Sequence, residues 1–333
     1  MRNARITGVG HYTPPLVVTN DDLASRMETT DDWIQQRTGI QQRHYSEGSV
    51  GAADMGALAA RRALEAAGRR ADEVDCVIFA TLSPDVEMPS SACLLQERLG
   101  IAGMPAFDVR NQCSGFLYSL ATANALIKAG RCERVLVVGG EVHSTGIDIT
   151  TRGRDVAVIF GDGAAAVLVE PTEEPGFGIL TTKLHAEGKF AEKLWVPSPG
   201  SRGRPSLTEA MLEGERPSVY PSMEGRYVFK HAIERCTEVI NEALDATGLG
   251  PDDVSLLVPH QANLRINQMV ALGFNWPEEK LVNNIQRYGN TTAASIPLAL
   301  SEAVQAGRVH DGDLICLAGF GAGFTWGAIL IRW

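Results

Sequence analysis

Short apolar runs alternate along this chain with longer segments of helical periodicity. The runs CVIFA after Asp75 and RVLVVGG before Glu141 are typical of buried strands, and SLLVP and DLICLAG are similar runs in the second half. Segments with a helical pattern end at Gly68 and Gly248 ahead of two of these runs, and glycine is a common helix terminator. This alternation predicts an α/β protein whose mostly parallel sheets are flanked by helices.

The second half of the chain repeats the pattern of the first. Three matches occur in the same order: ALEAAG at 63–68 with ALDATG at 243–248, AGR at 129–131 with AGR at 306–308, and FGDG at 160–163 with FGAG at 320–323. The first match has an offset of 180 residues and the second an offset of 177. We therefore predict two pseudo-duplicated βαβ halves, residues 1–172 and 173–333, with the active site where loops at the carboxyl ends of their strands meet.

Residues 185–224 break this pattern. The segment is rich in Gly, Pro, Ser and charged residues, and it shows neither helical nor strand periodicity. Such a composition predicts a long loop or lid rather than a further element of the sheets.

Composition and charge narrow the class of protein. With 333 residues, 44% of them hydrophobic, the chain is long enough to bury a sizeable core. Its formal net charge of -10 argues against sequence-independent binding of nucleic acid, which needs clustered Lys and Arg. No run approaches the roughly 18 apolar residues of a membrane span, and the N-terminal segment lacks the apolar core of a signal peptide. We therefore expect no membrane contact and a cytoplasmic location.

The six cysteines lie far apart without a CxxC pair, which argues against a disulfide or zinc framework. Five of them are interpreted as small buried residues. Cys113 differs, because it lies between the strand AFDV and an apolar helix that begins near Ser114. The positive end of a helix dipole lowers the pKa of a thiol and brings backbone N–H groups to the sulfur, so Cys113 is a candidate nucleophile. The alternative is a buried cysteine at a helix start.

Two further polar residues lie at comparable positions. His260 follows the strand SLLVP, and Asn290 lies in the polar stretch RYGNTTAAS, where the 177-residue offset pairs it with Cys113. A structural histidine and a helix-capping asparagine are the alternatives. As a unit, a thiolate accepts an acyl group while an imidazole N–H and an amide N–H stabilise the enolate of a second thioester. The glycines of the turn at 320–323 permit a close backbone approach to such a site.

The motifs around these residues resemble a known family. NQCSGF around Cys113, VPHQANLRI around His260, RYGNTTAASIP around Asn290 and GFGAGFTWG near the C-terminus resemble β-ketoacyl-acyl-carrier-protein synthase III, as do TTDDWIQQRTGIQQRH and IFGDGAAAVLV. The resemblance covers nearly the whole chain and implies a homodimer with the five-layered α-β-α-β-α thiolase fold. It also implies an acyltransferase of fatty acid biosynthesis. Acyl-CoA acylates such an enzyme, and decarboxylative condensation with malonyl-acyl carrier protein then gives a 3-oxoacyl product. No metal or redox cofactor is implied, and coenzyme A enters only as part of a substrate.

The resemblance implies roles for individual residues. Cys113 is expected to accept the acyl group, while His260 and Asn290 bind the malonyl thioester carbonyl and stabilise its enolate. The backbone N–H groups of Cys113 and Ala322 are expected to form the oxyanion hole; the family has Gly at position 322, and Ala still donates its N–H. The residues expected to bind coenzyme A are Thr29, Trp33, Arg37 and Arg152. Arg and aromatic faces suit a nucleotide, although Trp33 is alternatively a helix-packing aromatic.

Three departures from the family pattern bear on the substrate. Glu87 and Met88 stand where the family has an apolar run ending in a bulky aromatic, which closes the acyl pocket across the dimer. A flexible Met admits a longer or branched acyl chain, whereas Glu87 either disfavours a negatively charged acyl group or is only a solvated interface residue. The loop at 197–221 is longer than short-chain primers require. The helix after Arg265 lacks paired basic residues, so docking of the acidic carrier protein is expected to rely on Lys230 and Arg265.

Rival functions use the same fold. A relative in secondary metabolism or hydrocarbon synthesis, which joins two longer acyl thioesters or transfers an acyl group to another acceptor, would use the same three residues. A degradative thiolase needs a second cysteine in the C-terminal glycine-rich turn, whereas Cys316 lies earlier, within a strand. The presence of Cys113, His260 and Asn290 together argues against a catalytically silent scaffold.

Overall fold

The computed structural model describes residues 2–214 and 217–333. The β-strands are β1 Asn3–Tyr12, β2 Leu16–Thr19, β3 Gln42–Tyr45, β4 Cys76–Ala80, β5 Ala106–Val109, β6 Val135–Glu141, β7 Gly163–Thr172, β8 Gly178–Ala186, β9 Leu194–Trp195, β10 Ser222–Met223, β11 Leu256–Pro259, β12 Leu314–Gly321 and β13 Thr325–Arg332. The α-helices are α1 Asn20–Ala24, α2 Asp31–Thr38, α3 Ala52–Ala66, α4 Ser91–Leu99, α5 Gly115–Lys128, α6 Arg154–Ala157, α7 Gly225–Thr247, α8 Leu264–Gly273, α9 Ile285–Tyr288 and α10 Ser295–Gln305.

Two mixed sheets form the framework. The first has the strand order β1-β7-β6-β4-β5 and the second the order β11-β12-β13-β8. Strand β4 is parallel to β5 and β6, and β11 is parallel to β12, but the remaining pairs of both sheets are antiparallel. The prediction of mostly parallel sheets is therefore wrong. After each FGxG turn the chain runs back along the preceding strand, which makes β6–β7 and β12–β13 antiparallel.

The helices and sheets stack in five layers. Helices α5 and α10 contact strands of both sheets and lie between them. Helices α3 and α4 cover the outer face of the first sheet, and α7, with α8 against it, covers the outer face of the second. The predicted α-β-α-β-α arrangement is confirmed. One hydrophobic cluster joins α5 and α10 to both sheets, so the core runs through the middle of the molecule.

The two halves carry the same distorted turn ahead of their central helix. Gln112 and Thr292 have left-handed φ angles of 44° and 47°, and each begins a 3₁₀ turn, at 112–114 and 292–294. For residues with a Cβ this conformation costs about 1–3 kcal/mol, so the surrounding structure must hold it. The two turns are separated by 180 residues in the sequence.

This geometry corrects the pairing of Cys113 with Asn290. Helix α5 has 14 residues and α10 has 11, so the three residues that separate the two sequence offsets lie inside the helices. At the amino ends of these helices the offset is 180, and the structural counterpart of Cys113 is Ala293.

The segment at 185–224 contains little regular structure. Strand β8 continues to Ala186, and 3₁₀ turns at 188–193 and 209–212 and the short β9–β10 pair follow. The first sheet takes its strands from residues 3–172 and the second from 178–332, while the domain division at 172 itself stays a prediction. No helix in the described part of the chain is both long and apolar enough to cross a membrane.

Candidate active site

Cys113, His260 and Asn290 line one cavity between the two halves. Cys113 lies in the 3₁₀ turn ahead of α5, His260 directly follows β11, and Asn290 follows α9. All three are buried, with 8%, 5% and 5% of their surfaces exposed. The structure therefore brings together the three residues that the sequence singled out.

Ser295 sets the orientation of the His260 ring. His260 Nδ1 lies 2.6 Å from Ser295 Oγ, and the same hydroxyl oxygen accepts from the Gln261 N–H at 3.4 Å. Nδ1 is the acceptor that the described residues offer to the Ser295 proton, and donation of that proton to Nδ1 leaves the imidazole proton on Nε2. Nε2 is buried without a hydrogen-bond partner among the described residues. Burial, with a smaller contribution from His143, lowers the pKa of His260 to about 3, so the ring presents a neutral N–H to the cavity.

Asn290 bonds the turn that follows it and also presents a donor. Its Oδ1 accepts a hydrogen bond of 2.8 Å from the Thr292 N–H, at the start of the turn at 292–294. The alternative of a helix cap is wrong, because the N-cap of α10 is Ala294 and no side chain caps that helix. Because the amide oxygen of Asn290 is engaged by Thr292, the Nδ2 group is the part of the side chain left to donate to a ligand.

Burial keeps the thiol of Cys113 protonated. Burial and nearby Glu141 together raise the pKa of Cys113 to about 12, although the neighbouring backbone N–H groups of Cys113 and Ala322 favour the thiolate. The predicted lowering of this pKa by a helix dipole is wrong. Helix α5 begins only at Gly115, and the cost of burying the charge outweighs the dipole. Both N–H groups nevertheless lie close enough to the sulfur to lower its pKa, which is where an oxyanion hole needs its donors.

Gly321 gives the second half access to the nucleophile. A Cβ at this position would lie 2.6 Å from Cys113 Cβ and 3.2 Å from its Sγ. Only glycine permits β12 to approach the turn at 112–114 this closely. The close approach expected of the FGAG turn is thus present, and it carries the Ala322 N–H to the sulfur.

Two guanidinium groups lie close to the Trp33 ring. The Arg37 guanidinium is 4.0 Å from the ring centroid and that of Arg154 is 5.2 Å from it. Arg152, the residue expected here from sequence, instead donates to Asp148 at 2.6 Å and to the Gly214 carbonyl at 2.9 Å. The structure therefore places Arg154, not Arg152, over the ring. Asp148 draws Arg152 away because it is a buried carboxylate that needs a partner.

Thr29 and Trp33 border the same part of the surface. The Thr29 hydroxyl is buried and has no hydrogen-bond partner within the described residues, so it is available to a ligand. The Trp33 ring packs partly against the hydrophobic cluster of α2 and its neighbours. It is thus both a packing aromatic and a face that a planar group can cover.

Family models and relatives match this chain over its length. The model described as 3-oxoacyl-[acyl-carrier-protein] synthase III matches residues 107–188, and its C-terminal counterpart matches residues 244–333. The β-ketoacyl-[acyl-carrier-protein] synthase III of Methylococcus capsulatus is 45% identical over 332 residues, which is 100% of this chain and 99% of the relative. The chain belongs to the β-ketoacyl-acyl-carrier-protein synthase III family. The predicted family and its acyl-transferring, condensing character are confirmed.

Solved structures of the family have the same fold. The 3-oxoacyl-[acyl-carrier-protein] synthase III of Aquifex aeolicus is 42% identical, covers 99% of this chain and 100% of its own, and superposes with a TM-score of 0.90. The priming β-ketosynthase of a polyketide biosynthetic pathway is 33% identical, with coverages of 99% and 96% and a TM-score of 0.90. The thiolase-like architecture predicted for this β-ketoacyl-acyl-carrier-protein synthase III family member is confirmed.

Two residues predicted for the acyl pocket lie away from Cys113 of the same chain. Met88 is 85% exposed and Glu87 is also exposed, and neither lines the cavity at Cys113. Glu87 instead lines a small pocket with Arg110 beside β5, the edge strand of the first sheet. If these two residues reach an acyl group, it is that of another subunit.

Two residues predicted to dock the carrier protein are sequence neighbours of residues that line the cavity. Lys230 follows Phe229, and Arg265 precedes Ile266; the side chains of Phe229 and Ile266 line the cavity. Lys230 and Arg265 are themselves exposed, and Lys230 pairs with Glu234 at 3.6 Å.

Several residues at the site escaped the sequence interpretation. They are Glu141, His143, Arg154, Thr292 and Ser295. A signal existed for His143, because it lies just beyond the carboxyl end of β6, as His260 lies beyond β11. Among the cysteines interpreted as buried, Cys93 is exposed, while Cys76, Cys132, Cys236 and Cys316 are buried.

Proposed function

We propose that this chain starts acyl-chain synthesis in fatty acid biosynthesis. Acyl-CoA acylates Cys113, and decarboxylative Claisen condensation with malonyl-acyl carrier protein gives a 3-oxoacyl product. The observation that carries the proposal is the convergence of one thiol and two neutral N–H donors in a single buried cavity, Cys113 with His260 Nε2 and Asn290 Nδ2. The chain's own thiol, imidazole and amide carry every step, and coenzyme A takes part only as a substrate.

The first step transfers the acyl group. Cys113 Sγ attacks the thioester carbonyl of acyl-CoA, and the resulting oxyanion is stabilised by the backbone N–H groups of Cys113 and Ala322. The bond to the CoA sulfur breaks, and the proton of the Cys113 thiol ends on free coenzyme A. His260 lines the same cavity, and its buried Nε2 has no competing partner among the described residues.

The second step forms the carbon–carbon bond. The malonyl thioester carbonyl accepts hydrogen bonds from His260 Nε2 and Asn290 Nδ2, which stabilise the enolate left when carbon dioxide departs. The enolate carbon attacks the acyl carbonyl on Cys113, and the tetrahedral oxyanion occupies the hole formed with Ala322. Collapse of this intermediate releases the 3-oxoacyl thioester and the Cys113 thiolate, which takes up a proton from solvent.

Coenzyme A is proposed to bind at the surface around Trp33. Its adenine stacks on the Trp33 ring beside the guanidinium groups, with Arg154 in the place first expected for Arg152. Arg37 meets a phosphate and the Thr29 hydroxyl donates to the nucleotide. The exposed Lys230 and Arg265, next in sequence to residues that line the cavity, attract the acidic carrier protein.

We infer a cytoplasmic homodimer that pairs through the β5 edge of the first sheet. This edge carries Phe107, which is 36% exposed, and the neighbouring loop carries Met88, which is 85% exposed. Unpaired strand edges and exposed apolar side chains favour association. Pairing here would carry Glu87 and Met88 towards the acyl pocket of the second subunit. All six cysteines are free thiols, which supports a reducing compartment.

Intact-mass measurement with a panel of acyl-CoAs, from short to long chain, tests the proposal. One or more members should add an acyl group to the wild-type protein and none to Cys113→Ala. Cys93→Ala is the matched control, because Cys93 is exposed and is the residue most open to non-specific acylation. Failure of every acyl-CoA to modify the protein, or acylation of Cys113→Ala, contradicts the proposal.

A second arm separates this function from its rival. Malonyl-acyl carrier protein, malonyl-CoA or a second acyl-CoA is added to the acylated protein, and carbon dioxide and product are measured. Release of carbon dioxide with a malonyl donor supports a priming synthase. Consumption of two acyl-CoAs without release of carbon dioxide indicates a head-to-head condensing enzyme instead.

A further inference from the structure

A second histidine lies near Cys113. His143 is 6% exposed and lines a neighbouring cavity together with Cys113, Phe160 and Thr292. Its ring packs at 4.6 Å from the Phe160 ring, and its backbone N–H donates to the Asp162 carboxylate at 2.7 Å. The reaction proposed above assigns this residue no role, yet it is nearly as buried as His260.

His143 is joined to Asn290 through Thr292. His143 Nε2 lies 2.7 Å from Thr292 Oγ1, and both groups are buried. The Thr292 N–H in turn donates to Asn290 Oδ1 at 2.8 Å. The hydrogen bonds therefore run without a break from the histidine, through one threonine, to the amide that faces the substrate.

Thr292 needs such support. It is a β-branched residue with a left-handed φ of 47°, a conformation in which its Cβ crowds the backbone. In this conformation its N–H donates to Asn290 Oδ1. The hydrogen bond between its hydroxyl and the His143 ring, which packs against the Phe160 ring, holds the residue there.

We propose that His143 is a positioning residue for the condensation step, which acts by holding Thr292 so that Asn290 Nδ2 faces the malonyl thioester. This inference rests on the proposed function. It predicts a division between the two half-reactions, because Asn290 takes part in enolate formation and has no part in acylation of Cys113. Loss of the bond frees the amide to rotate, and small misplacements of a catalytic group slow a reaction steeply.

Two pairs of variants test the bond from both ends. His143→Phe keeps a ring against Phe160 but removes the hydrogen bond, and Thr292→Val removes the hydroxyl while keeping the branched shape. Thr292→Ser retains the hydroxyl and is the conservative variant. His310→Gln, at an exposed histidine far from the cavity in the fold, is the matched control.

Acylation of Cys113 is measured by intact mass in a single turnover, with whichever acyl-CoA modifies the wild-type protein. Condensation is measured as carbon dioxide release from malonyl-acyl carrier protein. We expect His143→Phe and Thr292→Val to acylate within about twofold of wild type but to condense about 10- to 100-fold more slowly. Thr292→Ser should condense within about threefold of wild type, and His310→Gln should match it. The double variant should be no slower than the single ones, because both remove the same bond.

Thermal unfolding of each variant distinguishes a positioning role from a structural one. If His143→Phe does not fold, Thr292→Val still tests the same bond. Unchanged condensation in Thr292→Val, or an equal loss of acylation and condensation, overturns the inference while leaving the proposed function intact. A wild-type protein that no acyl-CoA modifies overturns the proposed function itself.

Discussion

Ser295 Oγ lies 2.6 Å from His260 Nδ1, in a buried pair that joins α10 to the end of β11. The Gln261 N–H donates to the same oxygen, and the His260 ring is the acceptor that the described residues offer to the serine proton. The consequence is a single tautomer of His260, with its proton on the nitrogen that faces the cavity.

Replacing Ser295 by alanine should therefore slow condensation. We expect Ser295→Ala to lower the condensation rate about tenfold, equivalent to about 1.4 kcal/mol, because the ring loses its fixed tautomer and orientation. Ser301→Ala is the control, since Ser301 Oγ lies 2.9 Å from His11 Nδ1 and forms a similar pair on the same helix, away from the cavity. Equal effects of the two substitutions on carbon dioxide release would contradict the assignment.

Gly321→Ala should impair acylation before any other step. The added Cβ would lie 2.6 Å from Cys113 Cβ, so the turn at 112–114 has to shift. A shift of about 1 Å is expected to slow thioester formation roughly 100-fold. Gly273→Ala is the control, because a Cβ there meets no atom within 4 Å. Single-turnover acylation followed by mass checks this, and a wild-type rate in Gly321→Ala would show that the close approach is dispensable.

Arg154 and Arg152 should differ in their effect on binding of coenzyme A. Arg154→Ala removes a cation from the Trp33 face and should raise KM for acyl-CoA about fivefold with little change in kcat. An acyl-pantetheine thioester, which lacks the adenine, should be used equally by wild type and variant. Arg152→Ala breaks the bond to Asp148 and should lower thermal stability instead. If Arg152→Ala instead raised KM and Arg154→Ala lowered thermal stability, Arg152 would be the residue that contacts the nucleotide.

Folding stability should depend on pH through His143. Burial lowers the pKa of His143 to about 4, against a partly opposing effect of Asp162, and lowers the pKa of His260 to about 3. Between pH 4.5 and 6.5 the unfolded chain then binds more protons at these residues than the folded one, so their contribution to stability rises with pH and is lost on acidification. Burial raises the pKa of Glu141 to about 7, which gives a contribution of opposite sign.

The variant His143→Phe isolates one of these contributions. From pH 5 to pH 6 the free energy of unfolding of wild type should increase by about 1 kcal/mol more than that of the variant. Urea unfolding at the two pH values measures the difference. His310→Gln, at an exposed histidine, should follow wild type. A variant whose pH dependence equals that of wild type would show that His143 titrates alike in both states.

Met88 should limit the length of the acyl chain that the enzyme accepts, and only when the protein is a dimer. We expect Met88→Phe to shift acylation towards shorter acyl-CoAs by about tenfold in relative rate, because a rigid ring fills the space that a flexible thioether leaves. Sedimentation velocity establishes the oligomeric state of both proteins. A dimer with an unchanged chain-length profile would place Met88 outside the acyl pocket.

Much of this site follows from one local rule. Apolar runs end where strands end, and polar residues of the active site follow them. Cys113 and His260, which come after β5 and β11, could therefore be found from the sequence, and they line one cavity. His143 obeys the same rule beyond β6. The match between the two halves could not be predicted in this way. The two sequence offsets differ by three residues, but no local pattern shows that these residues lie inside α5, so that Ala293 and not Asn290 is the counterpart of Cys113.

The pKa of Cys113 and the directions of the Arg152 and Arg154 side chains could not be predicted from the sequence either. The pKa of Cys113 depends on how completely the folded protein excludes water, which no local pattern reveals, and burial proved stronger than the helix dipole. Arg152 and Arg154 are two residues apart and chemically identical. Only the buried carboxylate of Asp148 decides which of them turns inward and which covers Trp33.

The twin turns at Gln112 and Thr292 make the two halves mutually dependent. One turn holds the thiol and the other directs the amide, while His260 comes from the second sheet, so neither half on its own contains a working set of groups. Cutting the chain between Thr172 and Gly178 would leave two inert fragments, each with one sheet and half of the shared core. Such fragments suit a complementation experiment. Activity should return only when the two fragments associate, so the recovered activity would measure how well the core surfaces of the two halves bind each other.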